Sequence, residues 1–91
     1  MERHTANYLE AMNWDGMTYM PCEDCGQRPI QDIHHVEPRS KFGSTMKHLQ
    51  DLISNLIGLC RICHDAAHGP RSREIKERHK EIINCRAFQK I

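Results

Sequence analysis

Ninety-one residues with 38% apolar and 5% aromatic content make one small domain with a thin core, so a cross-link is expected to stabilise it. The longest charge-free apolar stretch, Leu56 to Cys60, is far short of the roughly 20 residues needed to cross a bilayer, which excludes a spanning helix and predicts a soluble protein. The formal net charge of +1 hides an asymmetry: residues 1–70 carry six Lys/Arg and nine Asp/Glu, residues 71–91 seven and three. Such a tail suits a polyanionic partner, or simply a solvated helix face.

The first fifteen residues lack the apolar run that secretion requires, so the five cysteines point to zinc in a reducing cytoplasm in preference to a disulfide framework. A short helix is expected over about 4–13, with Thr5 as its N-cap and Tyr8, Leu9 and Met12 on one core-facing stripe. Asp15-Gly16 turns the chain. Pro21-Cys22-Glu23-Asp24-Cys25-Gly26 has the small, glycine-ended shape of a zinc knuckle, whose tight turn aims both sulfurs at one point.

Ile30 to Val36 alternates as a strand, with Ile30, Asp32 and His34 on one side and Gln31, Ile33 and His35 on the other. Pro38 ends it, and Arg39-Ser40-Lys41-Phe42-Gly43-Ser44 continues as a basic loop. A helical turn or two is expected over Met46–Ile53, then a second strand from Leu56, Ile57 and Leu59, then a helix over Cys60–His68 that stops at Gly69-Pro70. Beyond it Ser72 caps a final basic helix to about residue 88. Its Ile75, His79, Ile82 and Ile83 fall on one face, leaving Arg73, Lys76 and Lys80 outward.

Two CxxC pairs, separated by enough chain to fold back, make Cys22, Cys25, Cys60 and Cys63 a four-thiolate zinc site. His64 and His68, one helical turn apart, project from a neighbouring stripe and need not share that ion. The doublet His34-His35 falls at a strand end. Successive strand side chains face opposite ways, so the two rings reach one site only if the strand bends or stops there. Cys85 has no partner at metal-ligand spacing, and His4, His48 and His79 lack any companion spacing and read as surface or helix residues.

The stretches Ile33-His34-His35-Val36-Glu37-Pro38-Arg39-Ser40, Asn55-Leu56 and Leu59-Cys60-Arg61-Ile62-Cys63-His64, with nine residues from Asn55 to His64, resemble the His-Asn-His (HNH) endonucleases of the ββα-metal fold. The similarity runs from Cys22 to His68 and is to the variant in which two CxxC pairs bracket the nuclease motif. It implies an α+β fold: one domain over 1–91 with a motif core at 22–69, a small ββα-metal nuclease core with a four-cysteine zinc site, flanked by N- and C-terminal helices. It implies His35 as general base and Asn55 as the residue orienting it. His34, His64 and His68 become ligands of a catalytic divalent cation, Mg²⁺, Mn²⁺, Ni²⁺ or Zn²⁺. Many members carry Asp where His34 stands, and an imidazole there moves the preference from Mg²⁺ towards the later metals.

Read by residue type alone, His68 also suits a helix C-terminus facing the dipole, and Asn55 a link between loop and strand. The implied activity is metal-dependent hydrolysis of DNA with 5′-phosphate and 3′-hydroxyl products, by a monomer that nicks or a homodimer that cuts both strands, in a phage, mobile-element or restriction setting. RNA as the substrate, or a non-catalytic zinc-ribbon module binding nucleic acid or protein, are the competing readings. Arg39, Lys41, Lys47, Arg61 and the basic tail are the candidate phosphate contacts, which add affinity and little sequence discrimination.

Overall fold

Asp32–His35 (β1) and Leu56–Leu59 (β2) form a two-stranded antiparallel sheet, paired Asp32 with Leu59, Ile33 with Gly58, His34 with Ile57 and His35 with Leu56. The computed structural model describes residues 2–38, 41–43, 46 and 49–89, the last three by backbone alone. Helix α1 spans Arg3–Met12, α2 Arg61–Ala67 and α3 Ser72–Gln89, giving the α+β architecture of a ββα-metal core between flanking helices. The expected strand over 30–36 is shorter as a ladder. Its ends are nonetheless tied: Gln31 N–H donates to Leu59 O (2.9 Å) and Val36 N–H to Asn55 O (2.9 Å).

The pleat sorts side chains between the helices. Residues paired across an antiparallel sheet project to the same face and alternate along each strand. Asp32 and His34 therefore share a face with Ile57 and Leu59, and that face holds the main core of Cys22, Val36, Ile57, Leu59, Cys60 and Ile83. Ile33 and His35 share the other face with Gly58 and Leu56, under α1. All four residues of β2 are buried, as expected of an apolar strand covered on both faces. At Gly58 the cover is so close that a Cβ would lie 2.5 Å from Ile30 Cδ1 and 2.7 Å from the Tyr8 hydroxyl, so any larger residue has to displace those side chains.

Three local expectations are corrected, beginning with Ser72, which lies inside α3 and does not precede it, since Ile75 N–H donates to Arg71 O (3.1 Å). Thr5 does not cap α1; the helix starts at Arg3 with Glu2 as N-cap and no side-chain cap bond, placing Thr5 inside the first turn. The helical turns expected over Met46–Ile53 are present as 3-10 turns, with no α-helix among the described residues there. The Asn55 amide takes the Gln50 carbonyl (2.9 Å), and the chain closes instead in three-residue turns, ending in a 3-10 turn at Ile53–Asn55. Lys76 and Lys80 do not simply face solvent, because both reach Glu37 (2.7 and 3.3 Å). The core face of α3 is as expected, with Ile75, His79 and Ile83 buried and Ile82 packed against the core.

Candidate metal centres and nuclease site

The knuckle of the first CxxC is closed by backbone. Cys22 N–H donates to Arg28 O (2.7 Å) and Gly26 N–H to Cys22 O (3.0 Å), with Gly26 at φ 67°, a conformation glycine adopts without steric cost. The second pair opens α2, where Cys60 is the N-cap and its sulfur accepts from Cys63 N–H. All four sulfurs lie within 4.8 Å of one another, and Cys25 Sγ is 3.8 Å from Cys60 Sγ. Tetrahedral zinc with arms of about 2.3 Å sets its sulfurs ~3.8 Å apart, so the spacing fits. Further N–H groups point at the sulfurs, Cys25 N–H at Cys22 Sγ (3.5 Å) and Gln27 N–H at Cys25 Sγ (3.4 Å). The Gln27 amide pulls the Cys25 thiol down to about 6, whereas burial pushes Cys63 up. Four sulfurs this close ionise together only around a cation.

The histidines gather one layer away. One nitrogen from each of His34, His64 and His68 lies within 4.8 Å of the others, and His64 Nε2 is 3.3 Å from His68 Nε2. Imidazoles on a metal at about 2.1 Å stand ~3.4 Å apart in tetrahedral geometry, so this donor set also fits an ion. Burial holds the His34 ring down to about 4, helped by the neighbouring imidazoles. It is therefore neutral at pH 7, as a ligand must be. His64 is fixed from behind by Asp32, whose Oδ2 is 3.2 Å from Nδ1 and also 3.2 Å from Arg61 Nε. A carboxylate on the far nitrogen sets the tautomer and raises basicity.

His35, the last residue of β1, belongs to the other face. Its Nε2 is 2.8 Å from Asp51 Oδ1, and its ring centroid is 4.6 Å from that of His4 on α1. Because the strand stops there, His35 still lines an open cleft of about 200 Å³ with His34, His68, Pro38, Lys76 and His79. Among the described residues no hydrogen bond joins Asn55 to the His35 ring. Asn55 holds the following loop, accepting from Glu37 N–H (2.8 Å) and donating to the Glu37 and Gln50 carbonyls (3.1 and 2.9 Å).

Of the expected phosphate contacts, Lys41 is bonded to Glu37 (2.8 Å) and Arg61 to Asp32, while Arg39 and Lys47, like His48, lie outside the described residues. Lys41, Lys76 and Lys80 hold the Glu37 carboxyl down to about 2.

Several residues with no motif spacing prove central. Glu23 accepts from Tyr8, from Gly58 N–H (2.8 Å) and from Arg86 (2.9 Å), and burial pushes the Tyr8 phenol far up. Burial alone would raise Asp24, but bonds from Arg78 (2.9 Å) and His79 (3.0 Å) outweigh it and hold the carboxyl down. His79 is fully buried, its Nδ1 has no hydrogen-bond partner among the described residues, and its ring is 5.9 Å from that of His34. The only advance signal was His79's place on the apolar face of α3.

Among the described residues no helix is long and apolar enough to cross a membrane. No curated protein and no solved structure matches the chain. The family model for HNH endonucleases matches residues 22–69, just over half of the chain, and that segment holds both CxxC pairs, the histidine doublet and the α2 histidines. The chain accordingly belongs to the HNH endonuclease family.

Proposed function

We propose that the chain is a metal-dependent endonuclease that hydrolyses DNA phosphodiesters, with His35 as general base, leaving 5′-phosphate and 3′-hydroxyl ends. The observation that carries this reading is the convergence of His34, His64 and His68 beside the cleft that His35 also lines. A divalent cation held by those three rings would neutralise charge on the scissile phosphate and on the leaving 3′ oxygen.

The remaining roles fall to the chain's own groups. Asp51 accepts a hydrogen bond from His35 Nε2–H, which keeps the proton on that nitrogen and the lone pair on Nδ1, the nitrogen that takes a proton from the attacking water. Asn55 positions the base through the backbone, by holding the loop at Glu37. The four cysteines hold structural zinc, which supplies the cross-link a core this small requires. Arg39, Lys41 and Arg61 contact phosphates; for Lys41 and Arg61 this means exchanging exposed ion pairs, worth ~0–1 kcal/mol each, for a polyanion.

Plasmid relaxation by wild type and His35→Ala in Mg²⁺, Mn²⁺ and Ni²⁺ tests the mechanism. A loss of at least ~100-fold is expected of a missing general base, and undiminished cutting overturns it. Labelled DNA and RNA digested side by side decide the substrate, and linear against nicked product shows whether two copies act together. A zinc-loaded protein that binds DNA yet cuts with none of these ions would be a non-catalytic module.

A further inference from the structure

The second face of the sheet carries its own donor cluster. His4, His35 and Asp51 each offer an atom within 4.8 Å of the others, and all three side chains are about 85% buried or more. They come from three elements: α1, the end of β1 and the turns before β2. His4 lies outside the segment that matches the family model.

Two imidazoles and one carboxylate are a borderline-soft set suited to Zn²⁺, Ni²⁺ or Mn²⁺. His35 Nε2 and Asp51 Oδ1, 2.8 Å apart, stand nearly at the ~3.0 Å expected of two ligands at right angles on bonds of about 2.1 Å. Glu2 Oε2 lies 3.2 Å from His4 Nδ1. As acceptor there it leaves the lone pair on Nε2, the carboxylate–histidine arrangement common behind metal-bound imidazoles.

We propose that His4, His35 and Asp51 form a second divalent-cation site, selective for the Zn²⁺/Ni²⁺ class, whose occupation switches off His35. The site is separate from the His34–His64–His68 cluster, since the pleat of β1 sends the two rings of the doublet to opposite faces. With Asp51 accepting from Nε2–H, the lone pair of His35 is on Nδ1. When Nε2 gives its lone pair to an ion, the single ring proton moves to Nδ1, and the ring can no longer take one from water. The cation-binding claim stands alone; the inhibitory consequence rests on the nuclease reading above.

Calorimetric titration of the full chain with Ni²⁺, after one equivalent of zinc has been supplied for the cysteines, tests it without turnover. Wild type is expected to bind one more exchangeable ion than His4→Ala, and Glu2→Gln to bind that ion about tenfold more weakly. Should His4→Ala lose its circular-dichroism signature, Asp51→Asn carries the same comparison with little change of shape. In plasmid relaxation, Ni²⁺ above one equivalent slows wild type and not Asp51→Asn, scored for each protein against its own rate at one equivalent. Equal ion counts in wild type and both variants overturn the site. Cutting by wild type that excess Ni²⁺ leaves undiminished overturns the inhibitory role. A wild type that fails to cut whichever ion is supplied refutes the nuclease reading, and the ion count still decides the site.

Discussion

Replacing Asp32 by Asn tests whether the His64 ring is held for a metal or merely packed. The carboxylate sits 3.2 Å from His64 Nδ1, and each side chain is about a quarter exposed. Losing an outer partner of a metal-bound histidine weakens binding 10–100-fold, or ~1.4–2.7 kcal/mol. An asparagine can still present its carbonyl to Nδ1–H, so the tautomer survives and only the added basicity goes. The expected loss is therefore near tenfold for Asp32→Asn and near 100-fold for Asp32→Ala, which removes the acceptor altogether. Calorimetric Mn²⁺ titration of the zinc-loaded protein reads the affinity. The Mn²⁺ concentration that half-saturates DNA cleavage reads the same ion in action, and it should rise more than the saturating rate falls. Affinity within twofold of wild type in both variants would show that Asp32 serves Arg61 alone.

Other outcomes follow from the anchors around the site. Arg86→Met strips Glu23 of its cation and the Ile53 and Leu56 carbonyls of their donor (2.8 and 3.0 Å). Breaking a buried pair costs ~3–5 kcal/mol, so the melting temperature should drop by ~10 °C or more; a drop under ~3 °C refutes the anchor. Cys60→Ser retains a helix-capping oxygen towards Cys63 N–H but removes a zinc ligand, so it and strong chelation of wild type should both unfold the chain. Retention of the native circular-dichroism spectrum by both would count against structural zinc. Glu37 is held at about 2 against an ordinary 4.5, so its stabilising contribution is complete above about pH 4.5 and is lost as pH falls towards 2. Urea midpoints of wild type and Glu37→Gln should differ most above about pH 4.5, draw together through pH 3 and converge only near pH 2, and a gap independent of pH refutes the lysine clamp.

Much of this was legible because it is local. Two CxxC spacings, an i, i+4 histidine pair and a doublet ahead of a proline are written within a few residues each, and the geometry that joins them is a single hairpin-like pairing of two short strands. The alternation of β1 even forecast the separation of His34 from His35. The partners of His35 were not legible. Asp51 is 16 residues away in a stretch whose turns carry no motif, and His4 is brought in by the packing of α1 over Gly58. For the same reason Asn55 keeps its place while its bonds go to the loop backbone and not to the base. His79 and Arg86 looked like ordinary positions of a basic amphipathic helix, since their partners, 55 and 63 residues distant, are set by tertiary packing alone.

Those distant partners share an origin: the two residues enclosed by the first CxxC. Glu23 gathers Tyr8 from α1 and Arg86 from α3, and Asp24 gathers Arg78 and His79 from α3. Both flanking helices, which lie outside the family-matched segment, are thus fastened to a knuckle whose shape a metal at the cysteines would set. The helices in turn border the chemistry, α1 delivering His4 to His35 and α3 placing His79 and Lys76 in the wall of the cleft. Loss of the ion at the cysteines would consequently misplace groups on both faces of the sheet at once. A metal at the cysteines and the proposed nuclease site would thus be coupled through these two carboxylates, and Glu23→Gln or Asp24→Asn should loosen that coupling while leaving every sulfur and every candidate imidazole ligand in the chain.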